Sequence, residues 1–395
     1  MIRRRSVFCL GLVQLVSWGV SYYLIGVFGD AIAADLGWSQ TTVHAGFSAA
    51  LLVMGLSSPL AGSLIDRYGG RRVMMIGAAL NAAGCALLAV CENLPVYFTA
   101  WLLLGLGMRL TLYDAAFAAL ARIGGPAARR PMSQITLLGG LASTTFWPLG
   151  YLLIEQLGWR GALGFYAVLA LSAVPLLIGL PDGRYDAEAA PREPRVAPLA
   201  ANDRERFVAG ALYALIVTLA NFLASGLSAH MIPILTGLGV GAAAAVSISA
   251  LRGIGQSLAR LCEVLFGRHV HPLALNIIGT LLLPFCFVAG LWSGESIVAA
   301  VAFAFFYGAG NGLLTIARGT LPLVLFDPRT YGSFVGRLLT PSFLLSAAAP
   351  LIYAWAISRF GEVAALYISL AAGLAALSAA LYLNLAFRAK GPSAV

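Results

Sequence analysis

A short polar turn between two apolar runs reads GSLIDRYGGRR from Gly62 to Arg72. Each flanking run is about 20 residues long, enough to cross roughly 30 Å of hydrocarbon as a helix. Gly62 permits two helices to approach closely, and Asp66 marks the end of the first run. The arginines suit the lipid headgroups at one face of a bilayer. The stretch therefore predicts a tight loop between two membrane-spanning helices.

The rest of the chain has the composition of a membrane protein. Of its 395 residues, 60% are hydrophobic and 10% are charged, whereas a soluble domain carries about 25% charged residues. The isoelectric point of about 9.6 does not indicate a nucleic-acid partner, because the basic residues lie in short loops between apolar runs. We expect a lipid bilayer as partner and no nucleic acid. The five cysteines have neither disulfide nor metal-site spacing, so no metal and no cofactor are predicted.

The apolar runs predict twelve membrane-spanning helices. They lie near residues 7–30, 41–64, 73–91, 95–121, 133–154, 161–180, 207–235, 241–265, 272–291, 296–325, 331–357 and 362–386. A polar, proline-rich stretch separates the sixth run from the seventh. The predicted domains are therefore an N-terminal bundle at 1–180, a linker at 181–206 and a C-terminal bundle at 207–395. Arginines gather in the loops on one side, which predicts that both termini and the linker are cytoplasmic.

An internal repeat relates the two halves. Gly105-x-Gly107 in the fourth run matches Gly308-x-Gly310 in the tenth, 203 residues later. Pro148 matches Pro350 at nearly the same offset. The sequence therefore predicts an all-α membrane protein of two pseudo-symmetric six-helix bundles, with a binding site near the midplane between the halves.

The stretch from Gly62 to Arg72 resembles the signature G-x-x-x-D-R-x-G-x-R-R of the major facilitator superfamily, between its second and third helices. The twelve-helix plan extends the resemblance over the whole chain. The resemblance implies the fold of that superfamily and a monomeric, multi-pass secondary transporter of a bacterial-type inner (plasma) membrane. It also implies that this loop latches the cytoplasmic side in the outward-open state. The spacing recurs after the eighth run, so the candidate gating residues of the two loops are Asp66, Arg67, Arg71, Glu263 and Arg268.

Three positions bear on the branch of the superfamily. Trp101 stands where the family usually carries an arginine in its fourth helix. Trp147–Gly150 gives only part of the fifth-helix pattern of antiporters. Both departures weaken a proton/drug antiport interpretation. The stretch from Asp35 to Ser39 resembles the monocarboxylate-porter and oxalate/formate branch.

Charged side chains deep in the apolar runs cost roughly 2.5–3.5 kcal/mol each on insertion scales, so each needs an explanation. They are Arg109 and Asp114 in the fourth run, Arg252 in the eighth and Arg318 in the tenth. One hypothesis makes Arg109 and Arg252 a positive site for an organic anion, because guanidinium groups suit bidentate contact with carboxylates. In the alternative, Arg109 donates to backbone carbonyls of a neighbouring helix.

A second hypothesis pairs Asp114 with Arg318. The pair would form a cytoplasmic gate that opens when Asp114 is protonated or when substrate competes for the arginine. Its alternative is a permanent structural brace. Coupling of transport to protons would follow from the gate.

Uncharged side chains at mid-depth complete the candidate substrate site. Gln14, Trp18 and Tyr22 are spaced four residues apart and share one helix face. Packing is the alternative role for each aromatic residue. The remaining candidates are Tyr113, Trp147, Asn221, Phe222, Tyr307 and Asn311.

These patterns predict a secondary transporter that works by alternating access on a small organic anion, with proton coupling as a hypothesis. The alternative within transporters is proton-driven efflux of hydrophobic or amphipathic compounds. A membrane-embedded enzyme or receptor is the remote alternative. An enzyme is not expected, because neither a nucleotide-binding loop nor a catalytic constellation is evident.

Overall fold

A computed structural model describes residues 2–185, 198–267 and 270–388. Within these ranges the regular structure is helical, without a strand. The α-helices, numbered in chain order, are α1 Arg4–Ser17, α2 Ile25–Leu36, α3 Gln40–Tyr68, α4 Gly70–Ala89, α5 Leu94–Thr111, α6 Tyr113–Gly124, α7 Arg129–Gly139, α8 Ala142–Ile178, α9 Asp203–Gly237, α10 Ala242–Phe266, α11 Pro272–Leu291, α12 Ile297–Leu325, α13 Tyr331–Phe360 and α14 Glu362–Phe387.

Nine helical stretches in the described part of the chain are long and apolar enough to cross a membrane. One of them, Leu94–Ile178, is 85 residues long and is interrupted at four places. Leu112 is extended, Gly125–Ala128 is a 3₁₀ turn, residues 140 and 141 form a turn between α7 and α8, and Gly158 has a left-handed φ of 69° within α8. Divided at these interruptions, the helices account for each of the twelve predicted spans. The predicted helical membrane architecture is confirmed.

The chain divides into two compact units. The first comprises Met1–Glu193 with Pro328–Thr340, and the second comprises Pro194–Asp327 with Pro341–Val395. Helix α13 therefore begins in the first unit and ends in the second. The domain limits expected from the sequence stay a prediction, and residues 186–197 of the predicted linker lie outside the described residues.

The fourth predicted span is a broken helix rather than a continuous one. Leu112, with φ −71° and ψ −175°, separates α5 from α6. The Gln14 side-chain amide on α1 donates to the Thr111 carbonyl at 2.8 Å, and Asn81 on α4 donates to the Thr111 hydroxyl at 3.1 Å. The bond from Gln14 satisfies a backbone carbonyl that an uninterrupted helix would have paired internally, and the bond from Asn81 holds the Thr111 side chain beside the break. Two neighbouring spans therefore stabilise a break that contains neither glycine nor proline.

The first predicted span is also irregular. A π-helical turn at Trp18–Tyr22 separates α1 from α2. Such turns widen the helix locally and occur often at functional sites. The predicted four-residue spacing of Gln14, Trp18 and Tyr22 therefore does not continue evenly along one face.

Helix α3 lies against the first residues of α13 within the first unit. A Cβ atom on Gly62 would collide with the carbonyl of Gly332, and one on Gly336 would lie 2.6 Å from the carbonyl oxygen of Ser58. The Ser58 hydroxyl donates to the Gly336 carbonyl at 2.6 Å. Small residues on both sides allow this approach. The expected role of Gly62 in close helix packing is confirmed.

Candidate functional site

Arg109 and Asp114 form a buried ion pair across the break at Leu112. Arg109 Nη1 lies 3.1 Å from Asp114 Oδ2, and the two side chains are 4% and 8% exposed. Asp114 occupies the first turn of α6, where the helix N-terminus also favours a carboxylate. The positive charge of Arg109 is thus offset inside the first unit, which weakens the hypothesis that Arg109 binds an anion.

Arg109 also makes the contact that the sequence analysis gave as the alternative to anion binding, a hydrogen bond to a backbone carbonyl of a neighbouring helix. Its Nη2 donates to the carbonyl of Ser58 on α3 at 3.4 Å. A cavity of about 230 Å³ in the first unit is lined by Arg109 and Asp114 together with Gly62, Gly332 and other residues. The ion pair therefore lies beside the contact between α3 and α13. The predicted pairing of Asp114 with Arg318 stays a prediction.

Asp66 caps the N-terminus of α13. Its two carboxylate oxygens accept from the backbone N–H groups of Gly332 at 3.0 Å and of Ser333 at 2.7 Å. A helix N-terminus carries unpaired N–H groups and a partial positive charge, so a carboxylate is well suited to it. We call residues 331–340 the capped segment, which belongs to the first unit.

The arginines of the same loop have other contacts. Arg71 pairs with Asp182 at 2.8 Å, and the Arg67 guanidinium lies 5.1 Å from the centre of the Tyr68 ring. Arg122 donates to the Asp66 carbonyl at 3.1 Å and to the Asp182 carbonyl at 2.9 Å. Neither Arg122 nor Asp182 is among the candidate residues of the sequence analysis.

The related loop of the second unit is described only in part. Glu263 on α10 is 8% exposed, and Arg268 lies outside the described residues. Nearby Arg260 is 3% exposed and donates to the Thr315 hydroxyl at 3.2 Å. The gating roles of Glu263 and Arg268 stay predictions.

Aromatic candidates of the first unit lie together. The Trp18 ring centre is 4.9 Å from that of Tyr22 and 5.0 Å from that of Tyr113. Tyr22 also contacts Phe47 at 5.2 Å. Trp147 is 46% exposed and reaches the group through Tyr23, with their ring centres 6.4 Å apart. We call this set the aromatic cluster, and its members are Trp18, Tyr22, Tyr23, Phe47, Tyr113 and Trp147.

Gln14 is buried and does not join the aromatic cluster. Its side chain is fully buried at 0% exposure and donates to the Thr111 carbonyl. This bond gives Gln14 a positioning role at the break, and its predicted role as a substrate ligand stays a prediction. Tyr307 and Phe222 are likewise core residues, at 1% and 6% exposure. Phe222 packs on Tyr353 with ring centres 5.6 Å apart, so packing is the role that the structure supports.

Arg252 of the second unit differs from Arg109 in its surroundings. It is half-buried on α10, and its Nη1 donates to the hydroxyl of Ser228 on α9 at 3.0 Å. Within the described residues that neutral hydroxyl is the side-chain partner of the guanidinium. Its positive charge is therefore not offset by a carboxylate in the way that Arg109 is offset by Asp114.

A cavity of about 380 Å³ lies in the second unit. Three sequence candidates line it: Asn221 on α9, and Asn311 and Arg318 on α12. Asn221 donates to the Ser342 hydroxyl at 3.2 Å. The cavity also contains Asn276 on α11. Asn276 was missed in the sequence because charged side chains were sought in the spans, and the ninth span carries none.

Comparison with known proteins gives one family and several relatives. Residues 10–350 match the family model described as Major Facilitator Superfamily. Human "Monocarboxylate transporter 11" is 29% identical over 331 residues, covering 78% of this chain and 66% of that protein. The "Multidrug resistance protein MdtL" of Escherichia coli is 31% identical over 190 residues, covering 47% of each chain. The chain thus spans between about half and two thirds of the length of these curated relatives.

Solved structures agree on the fold. The human organic anion transporter MFSD10 has a TM-score of 0.72 at 19% identity, covering 95% of this chain and 99% of that one. The proton:xylose symporter XylE has a TM-score of 0.73 at 15% identity, covering 95% and 94%. Identities this low show the fold alone. The expectation that the chain is not an enzyme is confirmed by the family whose model it matches.

The match to the family model covers most of the chain and includes the stretch from Gly62 to Arg72, the broken fourth span and the deep arginines. Nine helical stretches in the described part of the chain are long and apolar enough to cross a membrane, in agreement with such a fold. The resemblance seen in the sequence is therefore confirmed, and this chain belongs to the Major Facilitator Superfamily.

Proposed function

We propose that this chain is a secondary active transporter that moves a small organic anion across a membrane by alternating access. The observation that carries the proposal is Arg252, a half-buried guanidinium whose side-chain partner in the described part of the chain is the neutral Ser228 hydroxyl. A guanidinium without a carboxylate partner is suited to bind one bidentately. The names of the monocarboxylate transporter and the organic anion transporter among its relatives support this class of substrate.

The proposed setting is a bacterial-type inner membrane, with a monomeric chain and both termini in the cytoplasm. The gathering of arginines in loops on one side supports this orientation. The contact between Asp66 and the capped segment supports a gating role for Asp66. Its two hydrogen bonds join one carboxylate to consecutive backbone N–H groups, so they would form and break together.

Transport assays on the purified protein test the anion site. Arg252→Gln should lower kcat/KM for a transported carboxylate by about 10- to 100-fold, because charge-assisted hydrogen bonds contribute about 1.5–3 kcal/mol. Ser228→Ala is the matched control, because it removes the neutral partner and keeps the charge. A panel of radiolabelled hexanoate, gluconate and benzoate in proteoliposomes supplies the substrates. Wild-type rates of carboxylate uptake in Arg252→Gln, with unchanged thermal unfolding, would contradict the proposal.

Proton coupling through Asp114 is a separate proposal. It expects Asp114→Asn to make transport insensitive to a pH gradient. Because this change leaves Arg109 without its carboxylate, the double variant Arg109→Gln/Asp114→Asn is the appropriate companion. Retained sensitivity to the pH gradient in both variants would exclude Asp114 as the proton carrier.

Efflux of hydrophobic or amphipathic compounds is the second candidate function. The aromatic cluster of the first unit favours it, as does the resemblance to MdtL, named as a multidrug resistance protein. Extrusion of a hydrophobic cationic dye from cells, together with no uptake of the carboxylate panel, would favour efflux over anion transport.

A further inference from the structure

The cavity of the second unit has a wall of side-chain amides. Asn221, Asn276 and Asn311 come from three different helices, α9, α11 and α12, and line one space of about 380 Å³. Thr315 and Arg318 line it as well. Because the three amides come from separate helices, only the folded second unit brings them to one cavity.

Two of these amides have a donor without a hydrogen-bond acceptor among the described residues. Asn276 is 2% exposed, and its Nδ2 is buried without an acceptor. The Asn311 side chain makes no hydrogen bond within the same described ranges, while Asn221 uses one donor on Ser342. Unpaired amides are costly away from water, above all inside a membrane. A ligand with hydrogen-bonding groups would complete these bonds.

The chemistry of an amide limits which ligand this is. Each asparagine side chain offers two donors and one acceptor. A carboxylate only accepts, so it would leave the amide oxygens unpaired. A hydroxyl group both donates and accepts, and several hydroxyl groups on one chain would match several amides.

The position of the cavity relates it to Arg252. Asn221 precedes Ser228, the partner of Arg252, by seven residues on α9, which is about 10 Å along the helix axis. Arg252 and Ser228 are not among the lining residues of the cavity. The separation along α9 is nevertheless one that an extended six-carbon acid could span, with its carboxylate at Arg252 and its hydroxyl groups towards the asparagines.

We propose that the amide-lined cavity binds the hydroxyl groups of a polyhydroxylated carboxylate, so that the transported anion is of the sugar-acid class. This inference rests on the proposed organic-anion function and names its substrate class. Alkyl and aryl carboxylates do not fit this inference, because they carry no hydroxyl groups for the three asparagines to bind.

The test uses three six-carbon probes on the purified full chain. Gluconate carries the carboxylate and the hydroxyl groups, hexanoate carries only the carboxylate, and sorbitol carries only the hydroxyl groups. Equilibrium binding should show gluconate at least tenfold tighter than hexanoate or sorbitol. Asn276→Leu should reduce the preference for gluconate over hexanoate to within about threefold, because it removes a partner of the gluconate hydroxyl groups.

The chain offers a matched control on the same helix. Thr280 is one turn beyond Asn276 and is 0% exposed, and its hydroxyl donates to the Asn276 carbonyl at 2.8 Å within α11. Thr280→Val therefore removes a buried polar group without changing the cavity amides, and should keep the preference for gluconate. If Asn276→Leu does not fold, Asn311→Leu at the more exposed position tests the same loss.

The outcomes separate this inference from the proposed function. Equal binding of hexanoate and gluconate by the wild type, or an unchanged preference in a folded Asn276→Leu variant, would overturn the sugar-acid assignment. Arg252-dependent uptake of either acid would leave the anion transporter standing in that case. Binding of sorbitol as tight as gluconate, unaffected by Arg252→Gln, would overturn both.

Discussion

The Arg109–Asp114 ion pair is a buried charge interaction of the first unit. Both side chains are almost completely buried, and the pair spans a break that lets residues five apart face each other. A buried pair adds little stability over an apolar one of similar size, but loss of one partner is severe because it leaves an uncompensated charge. The effect on stability of changing either residue therefore depends on whether the other is present.

The first prediction concerns this pair. Asp114→Asn should lower the free energy of unfolding by about 3–5 kcal/mol, because Arg109 would remain charged and buried. Arg109→Gln/Asp114→Asn should recover most of that loss. Thermal unfolding in detergent, arranged as a double-mutant cycle, measures the coupling. Additive effects of the two single changes would contradict the prediction.

The second prediction concerns Gln14 at the break. Gln14→Leu should destabilise the protein by about 1–3 kcal/mol, because a buried carbonyl loses its donor. The control is Gln40→Leu, which removes an exposed hydrogen bond to Asp30 and should change stability by about 0.5 kcal/mol or less. Similar losses in the two variants would show that the bond to Thr111 is not important.

Single residues show what the sequence could and could not reveal. The energetic cost of placing Arg109 and Asp114 in an apolar run identified both as unusual. Their pairing could not be predicted, because residues five apart on a regular helix do not share a face. Asn276 was missed for a similar reason, since a neutral amide in an uncharged span gives no signal until its neighbours are known.

At the scale of elements, the contact between α3 and the capped segment combines a charge with close packing. Asp66 supplies the charge at the helix N-terminus, and Gly62 supplies the space. The two features are one helical turn apart, so they act on the same end of α13.

The third prediction tests this contact through its glycine. Gly62→Ala should push the capped segment away, because the added Cβ would collide with the Gly332 carbonyl. A single cysteine at Ser333, in a variant without the native cysteines, should then react several-fold faster with a maleimide. Gly164→Ala on α8 is the control, since an added Cβ there meets nothing within 4 Å. Unchanged labelling in Gly62→Ala would contradict the prediction.

The elements were predicted well where the signal is local. The apolar runs located the spans, and the gap expected between residues 154 and 161 contains the observed break at Gly158. The break at Leu112 and the π-helical turn at Trp18–Tyr22 were not predicted. Neither contains proline, and the Leu112 break depends on hydrogen bonds from Gln14 and Asn81, which only the tertiary structure brings there.

At the scale of the whole molecule, the repeat accounts for the plan of the spans but not for their details. Gly105 and Gly308 are 203 residues apart and occupy corresponding helices. The fourth span is nevertheless broken, whereas α12 is continuous from Ile297 to Leu325. The halves have therefore diverged at the positions that carry the deep charges.

The fourth prediction tests the orientation of the chain. A cysteine at Gln40 should react with an impermeant maleimide on intact cells, whereas one at Asp203 should react only after permeabilisation. Reversed labelling would contradict the cytoplasmic placement of the termini.

A variant that keeps only Cys91 provides the control for this labelling. Burial raises the pKa of the Cys91 thiol, which lies in the loop between α4 and α5. Little thiolate is present below a raised pKa, so the residue should be unreactive near pH 7 and gain reactivity only as the pH rises.

The capped segment has a consequence for any attempt to divide the protein. It belongs to the first unit, yet it is encoded after most of the second. A fragment ending near residue 193 would lack the backbone donors that Asp66 binds and would leave the groove at Ser58 and Gly62 unfilled. Such a fragment is expected to be degraded when it is produced alone and to be stabilised when residues 194–395 are produced in the same cell. The gene is therefore expected to tolerate being split after residue 193 only if both fragments are expressed together.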